Sequence, residues 1–401
     1  MVSYKVCSGK AGLASSCLNI NRSLIIPKKD SLVHHLKKLD LLRGIAILMV
    51  FLFHCHLIFF GQSGPSAIST GNNETKNSLS QWIISCSPTA FGWVGVPLFL
   101  LISGFLIHLG FLKEGVKFRF RTFFSKRFWR IFIPYWFSLG AFIIAENFLN
   151  NNTASPKVTD IILHLLTLHN LNDHYFYSIN PAYWSLAVEV QLYLLYPFFL
   201  LLRKWLGIRN CFVLLILLSV TLTIIGIGYN NFGTLYSYSK NTLGLWFIWA
   251  AGAWYAEAVY LPGKRLFPKY AMSFLLLSLF SLLISSFFTI VNNFAFHLAT
   301  LVCVIFFDSL LNDNLFSENK LASKFLIFTG VSSYSLYLIH QPYLKLLLNL
   351  CGAQSGNRFR LLSVIPAFLI TLVSAYLLYK TLELPAVRFG KRLRDKGFFR
   401  H

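Results

Sequence analysis

Arg43 stands at the mouth of the apolar run Leu41 to Phe60, and His54 lies inside that run eleven residues further on. Eleven residues are about three α-helical turns, so Arg43 and His54 share one helix face, roughly 16 Å apart along the axis. An ionisable residue inside an apolar span is costly to keep, which makes it a functional candidate. The plain structural alternative is a snorkelling anchor arginine plus a histidine that hydrogen-bonds a neighbouring helix. Arg127 and Arg130 are three residues apart in Ser125-Lys126-Arg127-Phe128-Trp129-Arg130, so both point the same way. Paired guanidinium groups suit planar, bidentate recognition of phosphate; alone they could equally be a topology signal. Glu189, in Trp184-Ser185-Leu186-Ala187-Val188-Glu189, and His340, in Tyr337-Leu338-Ile339-His340-Gln341-Pro342, are further ionisable groups inside apolar runs. His340 and His54 fall at comparable depths, both about 20 Å in from one side. Glu189 and His340 could instead satisfy each other and tie helices together.

The elements that must carry these residues are membrane helices. Of 401 residues, 56% are hydrophobic and only 12% charged, against about 25% charged in soluble domains. Apolar runs predict ten spans, at 41–60, 92–112, 128–149, 184–202, 210–229, 243–260, 271–290, 294–311, 326–350 and 361–382. The fold class is therefore all-α, a polytopic membrane protein. Residues 161–171 are too short to span and predict an interfacial helix in an outer loop. The net charge of +22 does not point to nucleic acid, because the basic residues cluster at the ends of alternate connections. Lys37, Lys38, Lys117, Arg119, Arg121, Arg203, Lys204, Lys264 and Arg265 fall on one side. That asymmetry predicts both termini in the cytoplasm. The expected organisation is a basic cytoplasmic segment 1–38 without a secretory signal, a transmembrane unit 39–385 and a basic cytoplasmic tail 386–401. The seven cysteines lack a CxxC or metal spacing, so neither a disulfide framework nor a metal site is expected.

Taken in order, the motifs resemble the acyltransferase 3 family of multi-pass membrane O-acyltransferases, known from bacterial surface-polysaccharide modification. The matching residues are Leu39-Asp40 with Leu42-Arg43-Gly44-Ile45-Ala46 and His54; Gly92-Trp93-Val94-Gly95-Val96 with Phe99 and Ser103-Gly104-Phe105-Leu106-Ile107; and Arg127 and Arg130 with Ile133-Pro134. Trp184-Ser185-Leu186 with Glu189, Ser333-Tyr334-Ser335-Leu336-Tyr337 with His340-Gln341-Pro342, and Glu383 with Pro385 complete the set. Leu41 replaces a glycine usual in the family, and Val190 replaces a second glutamate, leaving Glu189 as that motif's one carboxylate. The fused SGNH-type domain of some members has no counterpart in these residues.

The resemblance implies an acyl-coenzyme A donor, usually acetyl-CoA, used from the cytoplasmic face, with no metal. Arg127, Arg130 and Arg43 would hold the donor. His54 would act as general base, or as a nucleophile through an acyl-histidine, while Glu189 and His340 would orient the acceptor. The acceptor expected is a hydroxyl of an extracytoplasmic glycan or glycolipid, O-antigen or another surface polysaccharide. The expected location, among membrane lipids, is a bacterial inner membrane. A transporter or flippase of a lipid-linked saccharide is the competing class; it would share the spans but consume no acyl-CoA.

Overall fold

The computed structural model describes residues 29–60, 83–149, 156–230, 240–268, 272–285, 292–313, 320–350 and 363–398. Among these the regular structure is helical, with no strand. Six of the helical runs are long and apolar enough to cross a membrane, Lys37–Phe60, Ile83–Lys117, Phe120–Ala145, Tyr183–Gly228, Ala295–Asn312 and Val364–Asp395. The chain is an integral membrane protein. Most of the expected basic segment 1–38, and residues 286–291 at the end of the expected seventh span, lie outside the described residues.

Helix α1 is Lys29–Phe60, α2 Gly95–Glu114 and α3 Phe120–Leu149. A short α4, Val158–Leu165, lies in the connection to α5, Tyr183–Asn230. Gly207 breaks α5 into two helices: its φ of 76° lies in the left-handed region that glycine enters without a Cβ clash. Helix α6, Thr242–Tyr255, starts at Asn241, whose side chain accepts from the Gly244 N–H at 2.7 Å. A π-turn, Ala256–Tyr260, extends it. Then follow α7, Met272–Ser285, α8, Ala295–Asn312, α9, Leu321–Val331, α10, Ser333–Leu350, and α11, Val364–Leu378. A second π-turn, Tyr379–Glu383, joins α11 to the basic, amphipathic α12, Leu384–Asp395.

Two expected elements come out differently. The span expected at 326–350 is two helices, α9 and α10, parted at Ser332 (φ −95°, ψ 11°), whose hydroxyl bonds back to the Phe328 carbonyl at 3.3 Å. Serine competing in this way for a helix carbonyl bends or ends the helix. The interfacial helix expected at 161–171 is α4 followed by a turn and a single 3₁₀ turn, His169–Leu171.

Membrane helices gain little from hydrophobic burial against one another and associate by close packing. Helices α1 and α9 do so through two glycines. A Cβ at Gly44 would lie 1.9 Å from the Leu326 carbonyl oxygen, and one at Gly330 1.8 Å from that of Asp40. This contact sets the start of α10 beside Arg43. A half-buried ion pair binds the other half of the bundle: Glu257 accepts from Arg203 Nε and Nη2 at 2.6 and 2.8 Å, and its Oε2 lies 2.8 Å from the buried His108 Nε2. That network joins α2, α5 and the turn after α6.

The connection before α5 is tied down as firmly. Gln191 donates to the Thr167 carbonyl at 2.6 Å and to Asn170 Oδ1 at 2.7 Å, and accepts from Thr242. Thr167 adopts a φ of 56°, unusual for a β-branched residue; the Gln191 bond to its carbonyl helps to hold it there.

Candidate active site

Helices α1, α2, α3, α5, α10 and α12 enclose a cavity of about 320 Å³. Its wall carries five cationic side chains, Arg43, Lys126, Arg127, Arg130 and Arg394, and one carboxylate, Glu189. Each is fixed by a different partner. Arg43 donates to Asp40 Oδ1 at 2.9 Å, one turn earlier on α1. The Arg127 guanidinium sits 4.4 Å over the Phe123 ring. Arg130 Nε stands 4.0 Å from the buried Glu383, which also accepts from Ser335 Oγ at 2.6 Å. Lys126 pairs with Glu114 at 3.0 Å, and Arg394 donates to Ser125 Oγ at 3.3 Å. The excess of positive charge, partly removed from water, fits a polyanion rather than a neutral sugar.

The apolar part of the wall includes Val96, Phe99, Leu100 and Leu106, and the hydroxyl-bearing side chains in it include Ser103, Ser185, Tyr193 and Tyr337. Glu189 accepts from Tyr193, one turn further along α5, and Ser103 Oγ lies 3.1 Å from the same Tyr193 hydroxyl. The Tyr337 hydroxyl donates to the Ala182 carbonyl and stands 2.5 Å from Ser185 Oγ.

Arg43, Arg127, Arg130 and Glu189, all nominated from the sequence, meet in this cavity; His54 and His340 do not line it. The two histidines meet each other instead, immediately behind Tyr337. The Tyr337 and His340 ring centres are 5.5 Å apart, and those of His340 and His54 4.8 Å. His340 Nε2 is 3.0 Å from His54 Nδ1. Each ring also sets its Nδ1 against a carbonyl of its own helix, His54 to Val50 at 2.9 Å and His340 to Tyr337 at 2.8 Å. Glu189 and His340, which could have satisfied each other, have separate partners.

Sequence reasoning did not nominate Tyr193, Ser103, Lys126 or Arg394. Tyr193 carried a signal, being four residues from Glu189 and therefore on the same helix face. Arg394 carried none. It reaches the cavity because α12 folds onto α3, with Phe389 edge-on to Trp129 at 4.9 Å and Gly390 against the Trp129 ring. Among the described residues no cluster of three or more metal-ligating side chains occurs, and Cys55, Cys86, Cys211 and Cys303 are free thiols.

Comparison with known proteins adds a family match. The family described as an acyltransferase domain matches residues 36–380. A protein of Acidianus two-tailed virus, an acetyltransferase by name only, is 27% identical over 276 residues, 65% of this chain and 76% of that protein. The peptidoglycan O-acetyltransferase OatA of Listeria monocytogenes is 25% identical over 346 residues, 77% of this chain. The match takes in 54% of that relative, so the chain corresponds to about half of its length. No solved structure matches.

Proposed function

Because the chain belongs to the acyltransferase family whose domain spans residues 36–380, we propose that this membrane enzyme moves an acetyl group from cytoplasmic acetyl-CoA to a glycan hydroxyl beyond the membrane. The observation that carries the reading is the cavity lined by five cations, with a pair of contacting histidines behind its Tyr337 wall. In this reading the ten apolar segments are ten crossings with both termini cytoplasmic, and 39–385 is the catalytic unit, flanked by basic cytoplasmic segments. The acceptor is a cell-surface polysaccharide such as O-antigen, and the setting a bacterial inner membrane. The acetyltransferase names of the relatives support the acyl group, and the peptidoglycan substrate named for one of them supports a glycan acceptor.

Arg127 and Arg130, with Arg43, hold the donor's phosphates through charge-assisted bonds. The apolar wall at Phe99 and Leu106 accommodates the uncharged pantetheine arm, which carries the thioester towards Tyr337 and the histidines. His54 takes the acceptor's hydroxyl proton as the oxygen attacks the thioester carbon. The carbon–sulfur bond breaks, and the departing thiolate receives that proton from His54. Glu189 and Tyr193 position the donor or the acceptor at the cavity wall.

The test is incubation of the purified protein in detergent with radiolabelled acetyl-CoA, following coenzyme A release with and without cell-envelope glycan. Release that depends on both glycan and His54 supports the reading. Glycan movement across vesicles without acetyl-CoA consumption would replace it with the transporter alternative.

A further inference from the structure

The geometry points to a different part for His340 than orientation of the acceptor: we propose that it fixes the protonation of His54, so that Nε2 of His54 carries the reactive lone pair. The inference rests on the reading of His54 as the base. Three contacts decide it. His54 Nδ1 lies 2.9 Å from the Val50 carbonyl, His340 Nδ1 lies 2.8 Å from the Tyr337 carbonyl, and His340 Nε2 lies 3.0 Å from His54 Nδ1. A carbonyl oxygen only accepts, so each Nδ1 facing one must carry a hydrogen. With one hydrogen per neutral ring, His340 Nε2 is then a bare acceptor, and His54 Nδ1–H is shared between it and Val50.

The opposite arrangement, with hydrogens on both Nε2 atoms, sets a lone pair against each carbonyl. Two repulsive contacts would replace two hydrogen bonds. His54 is therefore held with Nε2 unprotonated, the state a base or a nucleophile needs.

The pairing also follows the proton. When His54 takes the acceptor's proton on Nε2, both of its nitrogens are protonated. Its Nδ1–H then becomes a charge-assisted donor to His340 Nε2, a stronger bond than before. His340 thus stabilises the charge that develops during transfer, as the orienting carboxylate of a serine-protease triad does. It touches neither donor nor acceptor and is a positioning residue.

Two polar variants separate its two nitrogens. His340→Gln places an acceptor near Nε2, whereas His340→Asn keeps a polar group near Nδ1 and reaches no further. With purified, folded proteins, His340→Gln is expected to stay within about 5-fold of the wild-type kcat. His340→Asn is expected to lose on the order of 10- to 100-fold in kcat with KM for both substrates unchanged, part of what a general base contributes. In a His54→Ala background neither substitution should lower the residual rate further. A raised acceptor KM at unchanged kcat, equal impairment of both variants, or full activity of His340→Asn would overturn the assignment. A fully active His54→Ala would instead remove the reading beneath it.

Discussion

At the residue scale, Arg127 lines the cavity with its guanidinium over the Phe123 ring, so its substitution should weaken donor binding before it disturbs the fold. Arg43, Arg127, Arg130 and Glu189 could be nominated because a charge in an apolar run must have a reason, and all four face one cavity. Depth was legible too: counting turns set His54 level with His340, and the rings touch. Which helix lies beside which is tertiary information, so the contact itself could not be read. We expect Arg127→Ala to raise the KM for acetyl-CoA by about 10- to 100-fold, the equivalent of one lost charge-assisted bond of roughly 1.5–3 kcal/mol, in steady-state assays. Tyr193→Phe removes the hydroxyl that donates to Glu189 and should lower the rate while leaving the folded protein intact by thermal melting.

At the element scale, two features make separable predictions. The α1–α9 crossing allows no side chain at Gly330, where a Cβ would overlap the Asp40 carbonyl. Gly330→Ala should cost about 1–3 kcal/mol through forced separation of the helices. Because Asp40 is the partner of Arg43, the same substitution should also weaken donor binding, measurable by titration. The second feature lies in the connection before α5, outside the spans. His164 and His169 stack with ring centres 3.9 Å apart, both buried. Burial, then the neighbouring His164, push His169 down to about 2, and burial lowers His164 despite Asp160, which accepts from its Nδ1. Above pH ~6.5 both rings are neutral whether the segment is folded or not. Below it the unfolded segment binds protons that the folded one refuses, so its stability falls as the pH drops towards the depressed values. Hydrogen exchange of residues 158–171, corrected for intrinsic rates, should therefore show easier opening at pH 5.5 than at pH 7.5, and less of that difference in His169→Phe. The run 161–171 suggested a helix by its apolar residues; the buried histidine pair and the Gln191 bonds to Thr167 and Asn170 could not be seen in it.

At the scale of the whole molecule, the apolar runs disclosed an all-helical membrane protein because the bilayer permits few alternatives. The same rule conceals where a long run divides. The break at Ser332, inside the expected span 326–350, follows from local hydrogen bonding and could not be read there, whereas Gly207 falls in the gap between the expected spans 184–202 and 210–229. The five cationic side chains in the cavity wall come from three helices far apart in the chain. Their combined field predicts that acetyl-CoA affinity falls as salt rises from about 50 to 500 mM, because screening shortens the reach of every charge at once. Arg394→Ala should reduce that salt dependence, while turnover of acetyl-pantetheine, which lacks the nucleotide phosphates, stays unchanged.

The seat of Arg394 also puts the cavity on a clock. Chains emerge from the ribosome at about 5–20 residues per second, amino-terminal part first. Arg43 and the α3 arginines are thus made well before α12, which supplies the last piece of the wall. Until that helix settles against Trp129, a growing chain has its histidines and most of its arginines but no finished enclosure for a donor. On the proposed function, acetyl-CoA is therefore expected to stabilise only molecules whose final helix has docked, so that its binding would report on completion of the bundle.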